Sequence, residues 1–194
     1  MKLLMVSGSR NRKGQTARAA AALAEGAAHA GCEIESVFLP ELHVERCRQC
    51  EDDGWGLCRT KQQCVVEDDL ASVVEKVRQA DVVVFATPVY FSNLSESLRA
   101  FLDRLRRICI HGGKADRIQD KPAAGVCVAG GGGGGAVKCA VSLENVLLTC
   151  GFDVVDMVSV RRQNLAAKLT ASRPSPPQGC AWLAAAAAAQ SSVP

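Results

Sequence analysis

The sequence predicts a doubly wound α/β domain, with five parallel strands and helices on both faces. Three observations carry that prediction. Short apolar runs alternate with helix-like segments along the chain. The third run, Asp81 to Thr87, is a continuous β-branched and aromatic stretch, as in a central strand buried on both faces. Polar or glycine-rich loops follow the first, third and fourth runs, where an open parallel sheet presents its carboxyl edge to ligands.

The first strand is Leu3-Leu4-Met5-Val6, and the alanine-rich segment Ala17 to Ala30 is the first helix. Gly31 stops that helix and Glu33 to Leu39 makes the second strand. Residues 40 to 64 are polar, irregular and cysteine-bearing. Asp68 and Asp69 are expected to cap a helix from about Leu70 to Gln79, ahead of the third strand. Pro88 to Leu94 leaves that strand as a loop, and Ser95 opens a helix with Leu98, Phe101, Leu102 and Leu105 at helical spacing. Pro122 to Ala129 is the fourth strand, directly followed by glycines 130 to 135. A helix over about Val137 to Thr149 ends at Gly151, and Phe152 to Val160 is the fifth strand. Residues 166 to 194 read as a linker and tail: Arg173 to Gly179 is rich in proline, and Leu183 to Ala189 is an alanine run that suits a frayed end or a docking helix.

A chain of 194 residues, less that tail, is one domain with room for a full core. Its 23 basic and 20 acidic side chains are interspersed, so no nucleic-acid surface is expected. The first apolar run breaks at Ser7-Gly8, too early for a secretory or membrane segment. With ten cysteines in such a chain, a reducing, cytoplasmic location is expected.

The loops carry the chemistry. Ser7-Gly8-Ser9-Arg10-Asn11-Arg12-Lys13-Gly14-Gln15-Thr16 joins a strand to a helix start, where free N–H groups, hydroxyls and a guanidinium suit a phosphate. It matches neither the Walker A pattern nor the dinucleotide glycine fingerprint. Ser7, Ser9, Arg10, Lys13, Gly14, Gln15 and Thr16 are its candidate binding residues. Pro88, Val89, Tyr90, Phe91, Ser92 and Asn93 offer an apolar and aromatic wall; Gly130, Gly131 and Gly132 offer a surface that a flat ring can approach. Phosphate at one end and a planar ring at the other fit flavin mononucleotide (FMN). A flexible glycine loop and ordinary core packing of Tyr90 and Phe91 are the plainer alternatives.

Gly8-Ser9-Arg10 with Gly14 and Thr16, then Thr87 to Phe91 leading into Leu98-Arg99-Ala100-Phe101-Leu102-Asp103-Arg104, resembles the flavodoxin-like FMN-dependent reductases, in particular the iron–sulfur flavoproteins. The resemblance covers about residues 1 to 165. It implies a flavodoxin-like fold, FMN held at its phosphate by the Ser9 to Thr16 loop and around its ring by the 88 to 93 and 130 to 135 loops, and a homodimer or homotetramer in which subunits complete each other's site. Cys47, Cys50, Cys58 and Cys64 look like the segment in which iron–sulfur flavoproteins bind a [4Fe–4S] cluster; four thiolates suit that cluster and also suit a structural zinc. The family spacing is more compact. Here Glu51 to Leu57 intervene, Asp53 stands where the third cysteine is expected, and Asp52-Asp53 would add negative charge, so cluster, zinc and free thiols all stay open.

Two classes of function follow. One is an oxidoreductase using NAD(P)H, whose nicotinamide stacks near Tyr90, to reduce a small-molecule or protein acceptor through bound flavin. The other is an electron carrier with FMN and a cluster, and a non-catalytic flavin binder is a third reading. Cys32, Cys109, Cys127, Cys139 and Cys150 read as small hydrophobes, and His29, His43 and His111 share no metal-site spacing, His111 being a loop residue.

Overall fold

The computed structural model describes residues 1–112 and 116–172. The linker and alanine run expected beyond 172 lie outside them. Five strands, β1 (Lys2–Ser7), β2 (Glu33–Phe38), β3 (Val82–Pro88), β4 (Pro122–Ala129) and β5 (Asp153–Arg161), form one sheet in the order β2-β1-β3-β4-β5. Every neighbouring pair is parallel. This is the flavodoxin-like doubly wound fold, with the strand order reversing beside β1 and β3.

Six helices complete the described body: α1 (Gln15–His29), α2 (Leu57–Thr60), α3 (Leu70–Gln79), α4 (Glu96–Cys109), α5 (Ala136–Cys150) and α6 (Leu165–Ser172). Alternation along β3 splits the core in two. Val83 and Phe85 join Val73, Val77, Leu98, Phe101, Leu105 and Leu143 on one face. Val82, Val84 and Ala86 meet Ala19, Leu23, Ala27 and Leu165 on the other. Small residues on α1 let that helix lie close to the sheet.

Local chemistry sets the element ends. Gly151 adopts φ 93° and closes α5, and Ser95 caps α4 by accepting the Leu98 N–H. The expected cap of α3 is corrected: the Asp69 side chain accepts from the His43 N–H at 2.7 Å, while Asp68 accepts the Leu70 N–H at 3.1 Å. Both carboxylates thus tie the cysteine-bearing segment to α3. The segment expected as tail from 166 begins as α6, whose Leu165 is buried in the cluster with α1. Among the described residues, no helix is long and apolar enough to cross a membrane.

Candidate functional site

The loops after β1, β3 and β4 meet at the carboxyl edge of the sheet. Gly8 N–H donates to Ala86 O at 2.8 Å, and Ser97 Oγ donates to Gly8 O at 3.3 Å. A Cβ on Gly8 would run into Ser95 Oγ and lie 2.8 Å from Leu98 Cβ, so only glycine admits this approach. On the other side, a Cβ on Gly135 (φ 77°) would lie 2.7 Å from Ser92 Cα. Val89 N–H donates to Val128 O at 2.9 Å.

Within the first loop, Ser7, Ser9 and Thr16 are buried, while Arg10 and Lys13 are exposed. Gly14 precedes α1 with no side chain capping it, so the first-turn N–H groups, Gln15 and Thr16 among them, have no intrahelical partner. Gln15 Oε1 is buried and has no hydrogen-bond partner among the described residues. Arg12 pairs with Glu41 at 2.5 Å and covers the Phe38 ring at 4.0 Å, which commits it to β2 rather than to the loop's mouth.

The second loop is a hairpin-like turn. Tyr90 and Asn93 exchange backbone hydrogen bonds of 3.0 and 2.9 Å, and the two residues between them, Phe91 (φ 49°) and Ser92 (φ 66°), are both left-handed. Such a turn favours Asn and Gly; an aromatic residue and a serine there store strain. Phe91 is fully exposed and Tyr90 is 46% exposed, so core packing is not their role. Asn93 is fixed by Arg99 and by the Leu94 N–H, and Thr87 Oγ1 accepts the buried Ser95 N–H at 3.0 Å. The third loop is open: a Cβ on Gly130, Gly131 or Gly132 would meet nothing within 4 Å, leaving a bare backbone surface.

FMN fits this edge. Its phosphate suits the uncapped first turn of α1 beside buried hydroxyls, and its ring suits the glycine surface facing an exposed aromatic turn.

Cys47, Cys50, Cys58 and Cys64 lie elsewhere. All four line one recess with Trp55, Arg48, Arg104 and Arg107. Arg104, which the sequence shows only as part of a motif, is a buried cation beside these cysteines. It is 1% exposed, on the core-facing stripe of α4 between Phe101 and Leu105. It donates to Cys64 Sγ at 3.2 Å, to Glu45 O at 3.1 Å and to both oxygens of the fully buried Asp68, and its Nε has no partner among the described residues. Burial pushes the Asp68 carboxyl up, but Arg104 and the N–H groups of Glu45 and Leu70 outweigh it and hold the group below the usual range. A cationic residue inside an otherwise apolar helix stripe was the available signal.

Trp55 roofs the recess from the inserted segment. The Arg107 guanidinium lies 4.7 Å from its ring centroid and donates to Gly54 O at 2.6 Å, and the His111 ring packs edge-on at 5.1 Å. His111 is a loop residue, as expected, in the turn after α4, and it packs against this segment. Asp53 pairs with Arg59 at 3.1 Å and accepts the Trp55 N–H; neither it nor Asp52 lines the recess, so the expected negative charge does not face the sulfurs. Among the described residues no three His, Cys, Asp or Glu side chains are gathered closely enough to share a single metal ion. Four cysteines and three guanidinium groups line this recess, a donor set whose chemistry is compatible with a thiolate-held anionic group.

Comparison with known proteins decides the family. The family model for NADPH-dependent FMN reductase matches residues 1–169. The chain belongs to that family. It is an FMN-binding, NAD(P)H-dependent flavin oxidoreductase in class. The chain is 35% identical over 159 residues to an iron–sulfur flavoprotein of Methanosarcina thermophila, covering 80% of this chain and 77% of that one. An iron–sulfur flavoprotein of Archaeoglobus fulgidus is 32% identical over 143 residues, 74% of this chain and 66% of the relative. Among solved structures, the NAD(P)H:quinone oxidoreductase of Methanothermobacter marburgensis superposes with a TM-score of 0.67 at 22% identity, over 92% of this chain and 97% of that one, a likeness of fold.

Cys32, Cys109, Cys127, Cys139 and Cys150 are buried free thiols, and four of them lie in hydrogen-bonded pairs. Cys109 is held well above the ordinary thiol range by its hydrogen bond with Cys150 and by burial, and Cys127 by Cys139 in the same way. Thiols so placed are poor nucleophiles.

Proposed function

We propose that this flavin reductase holds FMN at the carboxyl edge of the sheet and takes reducing equivalents from NAD(P)H for a small-molecule or protein acceptor. The observation that carries the proposal is the strained turn at Phe91 and Ser92, which holds an aromatic ring in solvent at the edge that also carries the bare glycine loop. When bound, FMN supplies hydride and single-electron chemistry. Ser7, Ser9, Arg10, Lys13, Gly14, Gln15 and Thr16 bind the phosphate, with the α1 N-terminus supplying partial positive charge. Pro88, Val89, Tyr90, Phe91, Ser92 and Asn93 flank the ring, and Gly130, Gly131 and Gly132 let it approach the backbone. N–H groups of these two loops would stabilise negative charge at the ring's pyrimidine edge.

A second reading is favoured by the recess: Cys47, Cys50, Cys58 and Cys64 ligate a [4Fe–4S] cluster, and the protein works as an electron-transfer iron–sulfur flavoprotein. The Methanosarcina thermophila and Archaeoglobus fulgidus relatives bear that name. The exposed face of α5, with Val137, Val141 and Leu148 at helical spacing, supports assembly into a homodimer or homotetramer. Ten cysteines support a reducing cytoplasm.

One anaerobic preparation tests both readings by its absorption spectrum, its iron, sulfide and zinc content, and its rate of NAD(P)H oxidation. Flavin bands with NAD(P)H turnover and no iron leave the reductase alone. Flavin with about four irons per chain establishes the second reading. No FMN uptake on addition of the cofactor overturns both.

A further inference from the structure

We infer that Arg107 and Arg104, both on α4, are positioning residues that set the reduction potential of the sulfur-ligated group in the four-cysteine recess, and that the segment Glu51 to Leu57 exists to hold Arg107 there. The inference rests on the cluster reading above and goes beyond it in assigning residues outside the ligand set.

The argument starts from charge. Three guanidinium groups line the recess and no carboxylate does. Arg48 is paired with Glu45 at 2.8 Å, and Arg104 is paired with Asp68. Arg107 is different: among the described residues no carboxylate stands within ion-pair distance of it, and its partners are a neutral carbonyl, Gly54 O, and the face of Trp55. It therefore brings an uncompensated positive charge to the wall. Both of those partners come from the segment that separates Cys50 from Cys58. A compact cysteine spacing would have no residues from which to build that clamp. The close approach of Gly56 to Cys50, where an added Cβ would lie 3.2 Å from Cys50 Cβ, shows the same segment packed against Cys50.

Arg104 acts by a hydrogen bond. Its Nη2 donates to Cys64 Sγ, and Asp68, Glu45 O and Val66 O hold the guanidinium so that it cannot turn away. Donors to cluster sulfurs, and positive charge close by, both stabilise the reduced, more negative form, so they raise the potential. Burial magnifies the effect of Arg104 because little water screens it.

The test is a redox titration, followed by visible absorption, of anaerobically reconstituted protein in four forms: wild type, Arg107→Met, Arg107→Lys and Arg104→Lys. Iron and sulfide are measured on each. Arg107→Met is expected to lower the ratio of reduced to oxidised cluster at fixed poise about tenfold, a fall of about 59 mV for a one-electron couple. Arg107→Lys should recover most of that loss because the charge returns. Arg104→Lys keeps its charge but loses the fork that reaches Cys64, and should lower the potential by a smaller amount. Equal potentials in cluster-loaded wild type, Arg107→Met and Arg104→Lys overturn the inference while leaving the cluster reading intact. A wild type that takes up no iron overturns both, and the metal analysis tells the two failures apart. If Arg104→Lys does not fold, the Arg107 pair decides alone, since Arg107 is only half-buried and carries no buried ion pair.

Discussion

The edge after β1, β3 and β4 and the cysteine recess are both served by α4, its first turn facing one and its second half the other, yet they are built by opposite means. The edge is made of backbone: glycines at close approaches, an uncapped helix start and a turn strained at Phe91 and Ser92. The recess is made of side chains locked by charge: Arg104 on Asp68 and Cys64, and Arg107 on Trp55. A site that must admit a planar ring gains from missing side chains and tolerates local strain. A site that must hold charged groups out of water needs partners for every one of them.

The contrast breaks most visibly at Arg104. Arg104→Met strands the buried Asp68 carboxylate and should destabilise the fold by about 3–5 kcal/mol, read by urea denaturation of purified apoprotein; a loss below 1 kcal/mol would mean the pair is not what holds the cysteine segment. Next, Gly8→Ala forces a methyl between the first loop and α4, costing about 1–3 kcal/mol and weakening FMN binding measured by fluorescence quenching. Unchanged affinity would detach that approach from the cofactor.

The turn should respond in the opposite direction. Replacing Phe91-Ser92 by Asn-Gly relieves two left-handed residues and should stabilise the apoprotein by roughly 1 kcal/mol or more, while FMN binding and NAD(P)H turnover fall. Gain of stability with full activity would show that the strain serves nothing.

Acid sharpens the comparison further. Because Asp68 titrates below its unfolded value, its contribution is complete above about pH 4 and is lost as pH falls through its folded pKa. Stability of the wild type should therefore drop below about pH 4 more steeply than that of Asp68→Asn, while the Asn-Gly turn variant keeps the wild-type slope. Parallel profiles for wild type and Asp68→Asn would remove the ion pair from the account. The smallest effect on monomer stability, within about 0.5 kcal/mol, belongs to Val141→Lys, which should still shift the assembly toward monomer in sedimentation velocity. An unmoved sedimentation profile would take α5 out of the interface.

Much of this was legible in the chain, and the reasons are local. Strands β3 and β4 declare themselves because a buried parallel strand is apolar on both faces, and α5 ends where Gly151 allows a left-handed turn. The edge was legible because topology places loops after parallel strands on one side whatever their sequence. The strain at Phe91 was not, since nothing in the letters Phe and Ser signals a positive φ. Asp69 misled for a related reason: a carboxylate before a helix start reads as its cap, but a distant N–H, that of His43, competed for it.

By itself the sequence determined the fold class, the ligand edge and the four cysteines as a set, because periodicity, chain punctuation and residue chemistry are properties of short stretches. The tertiary structure alone decided that these cysteines share one recess, that Asp53 turns away from it to Arg59, and that Arg104 and Arg107 turn toward it. The placement of Arg104 and Arg107 depends on contacts between residues some forty to sixty positions apart. Only the packing of α4 against the cysteine segment brings them within the few ångströms over which hydrogen bonds and unscreened charges act.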